Sequence, residues 1–171
     1  MRNFTFLLML LIGFNGFSQK FTKEEEAFIL EGDVKTGLPI YQTDKKEQQK
    51  VLLAQSQDIS PKDKMLPILV ERMRLALAAT EGGVGIAAPQ VGINRNVILV
   101  QRFDKMDYPV EYFINPKIMW RSELLSKGPE GDLSIDKFRE TFYRSYSIRL
   151  EYFDLDNKRN DEEGGGFTPG V

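Results

Sequence analysis

Gly82-Gly83-Val84-Gly85-Ile86-Ala87-Ala88-Pro89-Gln90 is the stretch that decides how this chain is read. Paired glycines let a ligand or a neighbouring strand approach the backbone closely. Ala87 and Ala88 keep that wall thin, and Gln90 ends it with a donor and an acceptor on one side chain. The stretch is no nucleotide loop. A helical pattern precedes it where the dinucleotide fingerprint needs a strand, the third glycine is missing, and no Gly-Lys-Ser/Thr follows. Taken alone, it reads either as a pocket wall or as a tight helix-to-strand turn packed against the core.

The chemistry available around it is narrow. The 171 residues include no histidine and no cysteine. There is therefore no imidazole base, no nitrogen metal ligand, no thiolate and no disulfide. A metal held by this chain alone would meet only oxygen ligands, which favours Mg, Ca or Mn over Zn. A formal charge of −2, with no cluster of Lys or Arg, gives no electrostatic reason to expect nucleic acid. Apolar content of 42% and charged content of 28% suit a single globular domain with a real core.

Working upstream, Leu66, Leu69, Val70, Met73 and Leu77 recur at helical spacing, with Pro67 suited to a first turn and Glu81-Gly82-Gly83 as the stop. Thr22 and Glu25 have capping-box spacing for a short helix that ends near Gly32. Leu38-Pro39-Ile40 reads as extended. The polar segment from Asp44 to Ser60 reads as surface helix or loop. Downstream, strand patterns cover 96–103, 110–114 and 118–120, with Asn115-Pro116 dividing the last two. In 145–155, Tyr146, Ile148, Leu150 and Tyr152 alternate with polar residues, and Asp156-Asn157 reads as the following turn. Gly164-Gly165-Gly166 reads as flexible. Helices followed by several strands predict an α+β fold with antiparallel or mixed sheets and an N-terminal helix.

The N-terminus reads as a targeting segment. Arg2 precedes an apolar run from Phe4 to Phe14 that is short for a bilayer span, and Gly16-Phe17-Ser18 supplies small residues where a signal peptidase cuts. Residues 1–18 are thus expected to be a signal peptide and 19–171 the domain. The product would be exported, periplasmic or extracellular, with no stable membrane anchor after cleavage.

A second motif gives the glycine stretch its meaning. Lys127-Gly128-Pro129 leads into Glu130-Gly131-Asp132-Leu133-Ser134, and Phe113-Ile114-Asn115-Pro116-Lys117-Ile118 lies between the two. Together these segments resemble the peptide deformylase family, with its Gly-x-Gly-x-Ala-Ala-x-Gln motif, then Glu-Gly-Cys-x-Ser, then His-Glu-x-x-His on a helix. The first motif is complete here. The second matches except that Asp132 stands where the cysteine belongs, and the third is absent.

The resemblance implies a deformylase-like fold and, in intact members, an Fe, Zn or Ni ion held by one thiolate and two imidazoles. That metal-dependent hydrolysis removes the formyl group from N-terminal formyl-methionine peptides. By resemblance, Gln90 and the backbone N–H of Leu133 would donate to the oxyanion. Gly83, Val84 and Gly85 would line the substrate pocket, and Arg139 would contact the peptide, although Asp136 departs from the usual proline nearby.

The departures imply a different outcome for this chain. No metal ligand set is intact and no cofactor is expected, because Asp132 alone replaces three ligands. The helix bearing the glutamate base is missing too, which would expose apolar surface. The expectation is a degenerate or truncated member, inactive as the chain stands. The alternative is an exported, non-catalytic module that binds N-terminal peptides. A hard-ion site built from Glu130, Asp132 and Asp136 competes with the simpler reading of these residues as solvated loop acids.

Overall fold

The helix predicted upstream of the glycines forms as α3, Leu66–Ala78, with Pro67 in its first turn. Leu66, Leu69 and Met73 are fully buried and Val70 and Leu77 nearly so. Each such side chain contributes about 1.5–3 kcal/mol by leaving water. The computed structural model describes residues 19–165, so the expected signal peptide and the segment from Gly166 onward lie outside the described residues. Among the described residues no helix is long and apolar enough to cross a membrane.

Two shorter helices precede α3. In α1, Lys23–Leu30, the capping box forms as the spacing predicts: Glu25 N donates to Thr22 Oγ1 at 3.2 Å and Thr22 N to Glu25 Oε2 at 2.8 Å. The polar segment after Asp44 carries α2, Lys46–Leu53.

A buried arginine joins α1 to α3. Arg72 Nη1 donates to Ile29 O at 2.7 Å and Glu31 O at 2.9 Å, and its Nε donates to Thr36 O at 3.0 Å. Two of these carbonyls end α1, where helix geometry leaves them without an intrahelical partner.

Seven strands follow: β1 Gly85–Ala87, β2 Val97–Gln101, β3 Val110–Arg121, β4 Leu125–Gly131, β5 Arg139–Ser145, β6 Ser147–Phe153 and β7 Arg159–Gly165. They form a five-stranded antiparallel sheet in the order β1-β2-β3-β6-β7 and a separate β4-β5 hairpin. The α+β class with antiparallel sheets is as the sequence implied.

The main sheet is packed on both faces in alternation. Val97, Leu99 and Ile114 join the α3 side, while Val100, Phe113 and Tyr152 form a smaller cluster on the other. On that second face the side chain of Arg102, 2% exposed, is paired with Asp104, Glu111 and Glu162. Burial and the Glu162 charge beside it push the Tyr152 phenol up to about 12.

Two expectations need correction, and one element was not expected. Asn115-Pro116 does not divide two strands but lies inside β3, as a register irregularity between Ile114 and Lys117. Asn115 takes a left-handed φ of 52° there. Its side chain replaces the lost ladder bonds, accepting from Ile59 N at 2.9 Å and donating to Ile59 O at 2.8 Å. Gly164 and Gly165 are not flexible, for they pair with Ile148 and Ser147 in β7. The hairpin β4-β5 has no counterpart in the sequence reading. Around it Met119, Trp120, Leu124, Leu125 and Tyr143 remain exposed.

Candidate functional site

Gly82 bends the chain out of α3 with φ +74°, a conformation that suits glycine. At the next glycine, Gly83, a Cβ would lie 2.2 Å from Thr80 Oγ1 and 2.9 Å from Leu77 Cδ1, so any larger residue there would have to displace both side chains. Beyond this turn, among the described residues, β1 pairs only with β2, in the register Gly85↔Val100, Ile86↔Leu99, Ala87↔Ile98, so its other edge is the free edge of the sheet. Ile86 is buried, and a 3₁₀ turn, Ala88–Val91, follows. That turn is tightened when Ala87 N donates to Gln90 Oε1 at 2.9 Å.

The second motif arrives on the hairpin. Glu130 and Gly131 end β4, and Asp132 to Ser134 form the loop leading towards β5. Ser134 N donates to Asp132 Oδ1 at 2.8 Å, closing an Asx turn. On the same oxygen, Gln90 Nε2 donates at 3.1 Å. The two motifs therefore meet side chain to side chain.

Gly83, Val84, Gly85, Gln90, Asp132, Leu133 and Arg139, the oxyanion, substrate and thiolate positions named from the resemblance, line one open cleft of about 630 Å³, and Asp136 does not. The Leu133 N–H has no hydrogen-bond partner among the described residues. Arg139 stands across the hairpin from Gly131.

The reading of the sequence missed what holds the cleft together. Tyr41 N donates to Gln90 O at 2.7 Å, and Thr43 N donates to Ser134 O at 2.9 Å. Between them, Gln42 Nε2 donates to Leu133 O at 2.9 Å. Residues 41–43 thus tie the Gln90 wall to the Leu133 wall. The only sequence signal for this was the extended character of Leu38-Pro39-Ile40, immediately before them.

Glu130 is committed elsewhere: Arg144 Nε and Nη2 each donate to its carboxylate at 2.8 Å. That contact holds the Arg144 guanidinium above its ordinary pKa. Asp136 is exposed beside Lys137 at 3.7 Å. The hard-ion arrangement of Glu130, Asp132 and Asp136 therefore does not form.

These motifs and this topology have known counterparts. The family model described as Polypeptide deformylase matches residues 39–169. The chain belongs to the polypeptide deformylase family.

Among relatives, a peptide deformylase of Methylocella silvestris is 38% identical over 88 residues, covering 49% of this chain and 45% of that protein. A protein of Brucella melitensis named peptide deformylase-like is 34% identical over 103 residues, covering 60% of this chain and 58% of its own. The chain thus spans about half the length of these two relatives. A solved structure of the class I type b peptide deformylase of Acinetobacter baumannii, bound to Met-Ala-Ser, superposes with a TM-score of 0.69 at 26% identity. That match covers 78% of this chain and 86% of the other. The Thermotoga maritima peptide deformylase gives a TM-score of 0.67 at 25% identity, covering 76% and 82%.

Membership of a metal-dependent family raises the question of whether this chain's residues fit the metal. They do not. Asp132 spends Oδ1 on Gln90 and Ser134, Glu130 is bound to Arg144, and the sequence supplies no thiolate or imidazole. Among the described residues no group of three His, Cys, Asp or Glu is placed to hold a metal ion. A catalytic site of this kind needs three protein ligands with a position left open.

Proposed function

We propose that this chain keeps the peptide cleft of its family and does not itself carry out metal-dependent removal of a formyl group from N-terminal formyl-methionine. The observation that carries the reading is the hydrogen bond from Gln90 Nε2 to Asp132 Oδ1. By resemblance, Gln90 is the oxyanion donor and position 132 the thiolate ligand. Here each has become the other's partner. An oxyanion formed in this cleft would have to displace a carboxylate from Gln90 and then sit beside its negative charge. Losing one such donor in a hydrolase costs about 2.7–4 kcal/mol of barrier.

Binding has separate support. Among the described residues β1 has no second strand partner and lines the cleft; although Gln90 takes the Ala87 N–H, such an edge is where an extended peptide adds to a sheet.

Two measurements on the purified protein test this reading: metal content, and turnover of a formyl-Met tripeptide. The expected result is far less than one Fe, Ni or Zn per chain and no turnover above buffer. Stoichiometric metal accompanied by turnover would falsify the reading.

Export is the second part of the proposal, and it rests on the apolar run from Phe4 to Phe14 and the small residues at Gly16 and Ser18. N-terminal sequencing after fractionation of the host cell should find Gln19 first, outside the inner membrane. An intact Met1 in the cytoplasmic fraction would overturn it.

A further inference from the structure

Resting on that reading, we propose that the cleft selects peptides with a free α-ammonium group over peptides whose amino terminus is blocked, with Asp132 as the counter-ion.

The argument is one of charge and of a side-chain donor already used; the Leu133 N–H stays open, but it adjoins the Asp132 carboxylate, which repels a carbonyl oxygen and attracts a cation. A blocked terminus, formyl or acetyl, presents a carbonyl oxygen that needs a donor or a cation. At the junction of the two walls the side-chain donor is Gln90 Nε2, and it is held on Asp132 Oδ1. Asp132 offers the opposite. Its Asx turn uses only Oδ1, and Oδ2 has no hydrogen-bond or ion-pair partner among the described residues. The carboxylate is exposed to the cleft, so an incoming cation meets a charge that no cation of the described residues neutralises.

The other charges of the lining do not cancel it. Lys137 and Arg139 line the same cleft, yet neither is paired with Asp132; Lys137 leans on Asp136 instead, and Glu81 adds a second carboxylate to the lining. Glu130 is taken by Arg144. An α-ammonium carries three donors and a full positive charge, and it fits one unpaired carboxylate oxygen beside a thin apolar wall of Val84, Ile86 and Ala87.

Calorimetry with Met-Ala-Ser, formyl-Met-Ala-Ser and acetyl-Met-Ala-Ser tests the proposal on the wild-type chain and on Asp132→Asn. The free peptide should bind at least about fivefold more tightly than either blocked one, the scale of one charge-assisted hydrogen bond in a partly solvated site. Asp132→Asn keeps an oxygen for Gln90 and Ser134, so its thermal transition should be unchanged while the preference collapses to within twofold of unity (about the error of such a ratio).

Should that variant not fold, the wild-type chain still decides. Between 50 and 500 mM NaCl, the free-peptide affinity should fall and the acetyl-peptide affinity should not (about a twofold change distinguishes the two). Equal binding of free and blocked peptides, a tighter blocked peptide, or a preference that survives in Asp132→Asn would each refute the selection for an ammonium while leaving a peptide-binding cleft in place. If none of the three peptides bound, the reading of the cleft under Proposed function would itself be wrong.

Discussion

Arg72 is buried to 4% exposure and is turned on three backbone carbonyls rather than on an acid. Replacing it with Met keeps most of the aliphatic packing and removes all three donors. Ile29 O is fully buried on this contact and would lose its partner outright, at about 1–3 kcal/mol. Glu31 O and Thr36 O are partly buried, so water can take over some of the loss, and about 0.5–1 kcal/mol each is expected.

The sum is about 2–5 kcal/mol, a large share of the stability of a domain this size. Arg72→Lys should fall between wild type and Met, because one ammonium cannot span α1's last carbonyls and Thr36 as a planar fork does. Urea denaturation followed by far-ultraviolet circular dichroism measures both variants. An Arg72→Met shift below about 0.5 kcal/mol would show that these bonds do not anchor α1, and the reasoning from buried carbonyls would be refuted.

Two further outcomes follow from the charged groups. Arg144→Ala strips the partner from Glu130, whose side chain is 7% exposed, and should destabilise by about 1–3 kcal/mol, while Arg144→Ala with Glu130→Gln should recover part of the loss; urea midpoints for the single and double variants check this, and no recovery would mean the carboxylate is solvated without Arg144. The Tyr152 phenol is raised from 10.0 to about 12, so its contribution to stability is complete below pH 10 and is lost as the pH rises through about 12. Tyr152→Phe should flatten that part of the stability-against-pH curve, and an absorbance titration of wild type at 295 nm that showed every tyrosine ionising near pH 10 would contradict the burial argument.

What could be read from the sequence was local. The stripe of α3, the Thr22–Glu25 cap and the Asp156-Asn157 turn each depend on residues within a few positions of one another, and each formed. The two motifs were legible because glycine, alanine and amide at fixed spacing leave a narrow set of uses. Asn115-Pro116 misled because a proline within a strand normally ends it, and the bonds of Asn115 to the distant Ile59 backbone and to Asn96 O help the strand continue. Gly164-Gly165 carries no side-chain signal at all; what orders it is the ladder to β6. The β4-β5 hairpin escaped notice because Lys127-Gly128-Pro129 lacks strand composition, and its pairing has one largely solvated face. Gln42 and Arg72 act across long sequence separations, and no pattern within either segment announces it.

The three rungs from residues 41–43 to Gln90, Leu133 and Ser134 also make the cleft depend on distant parts of the chain. The hairpin loop lies some ninety residues from the segment that clasps it, and neither can hold the other in place without the helices and sheet between them. The cleft's shape therefore belongs to the folded molecule as a whole and not to either segment alone. A ligand that recognises it binds the finished molecule alone, and would trap the native state whether or not any chemistry takes place there.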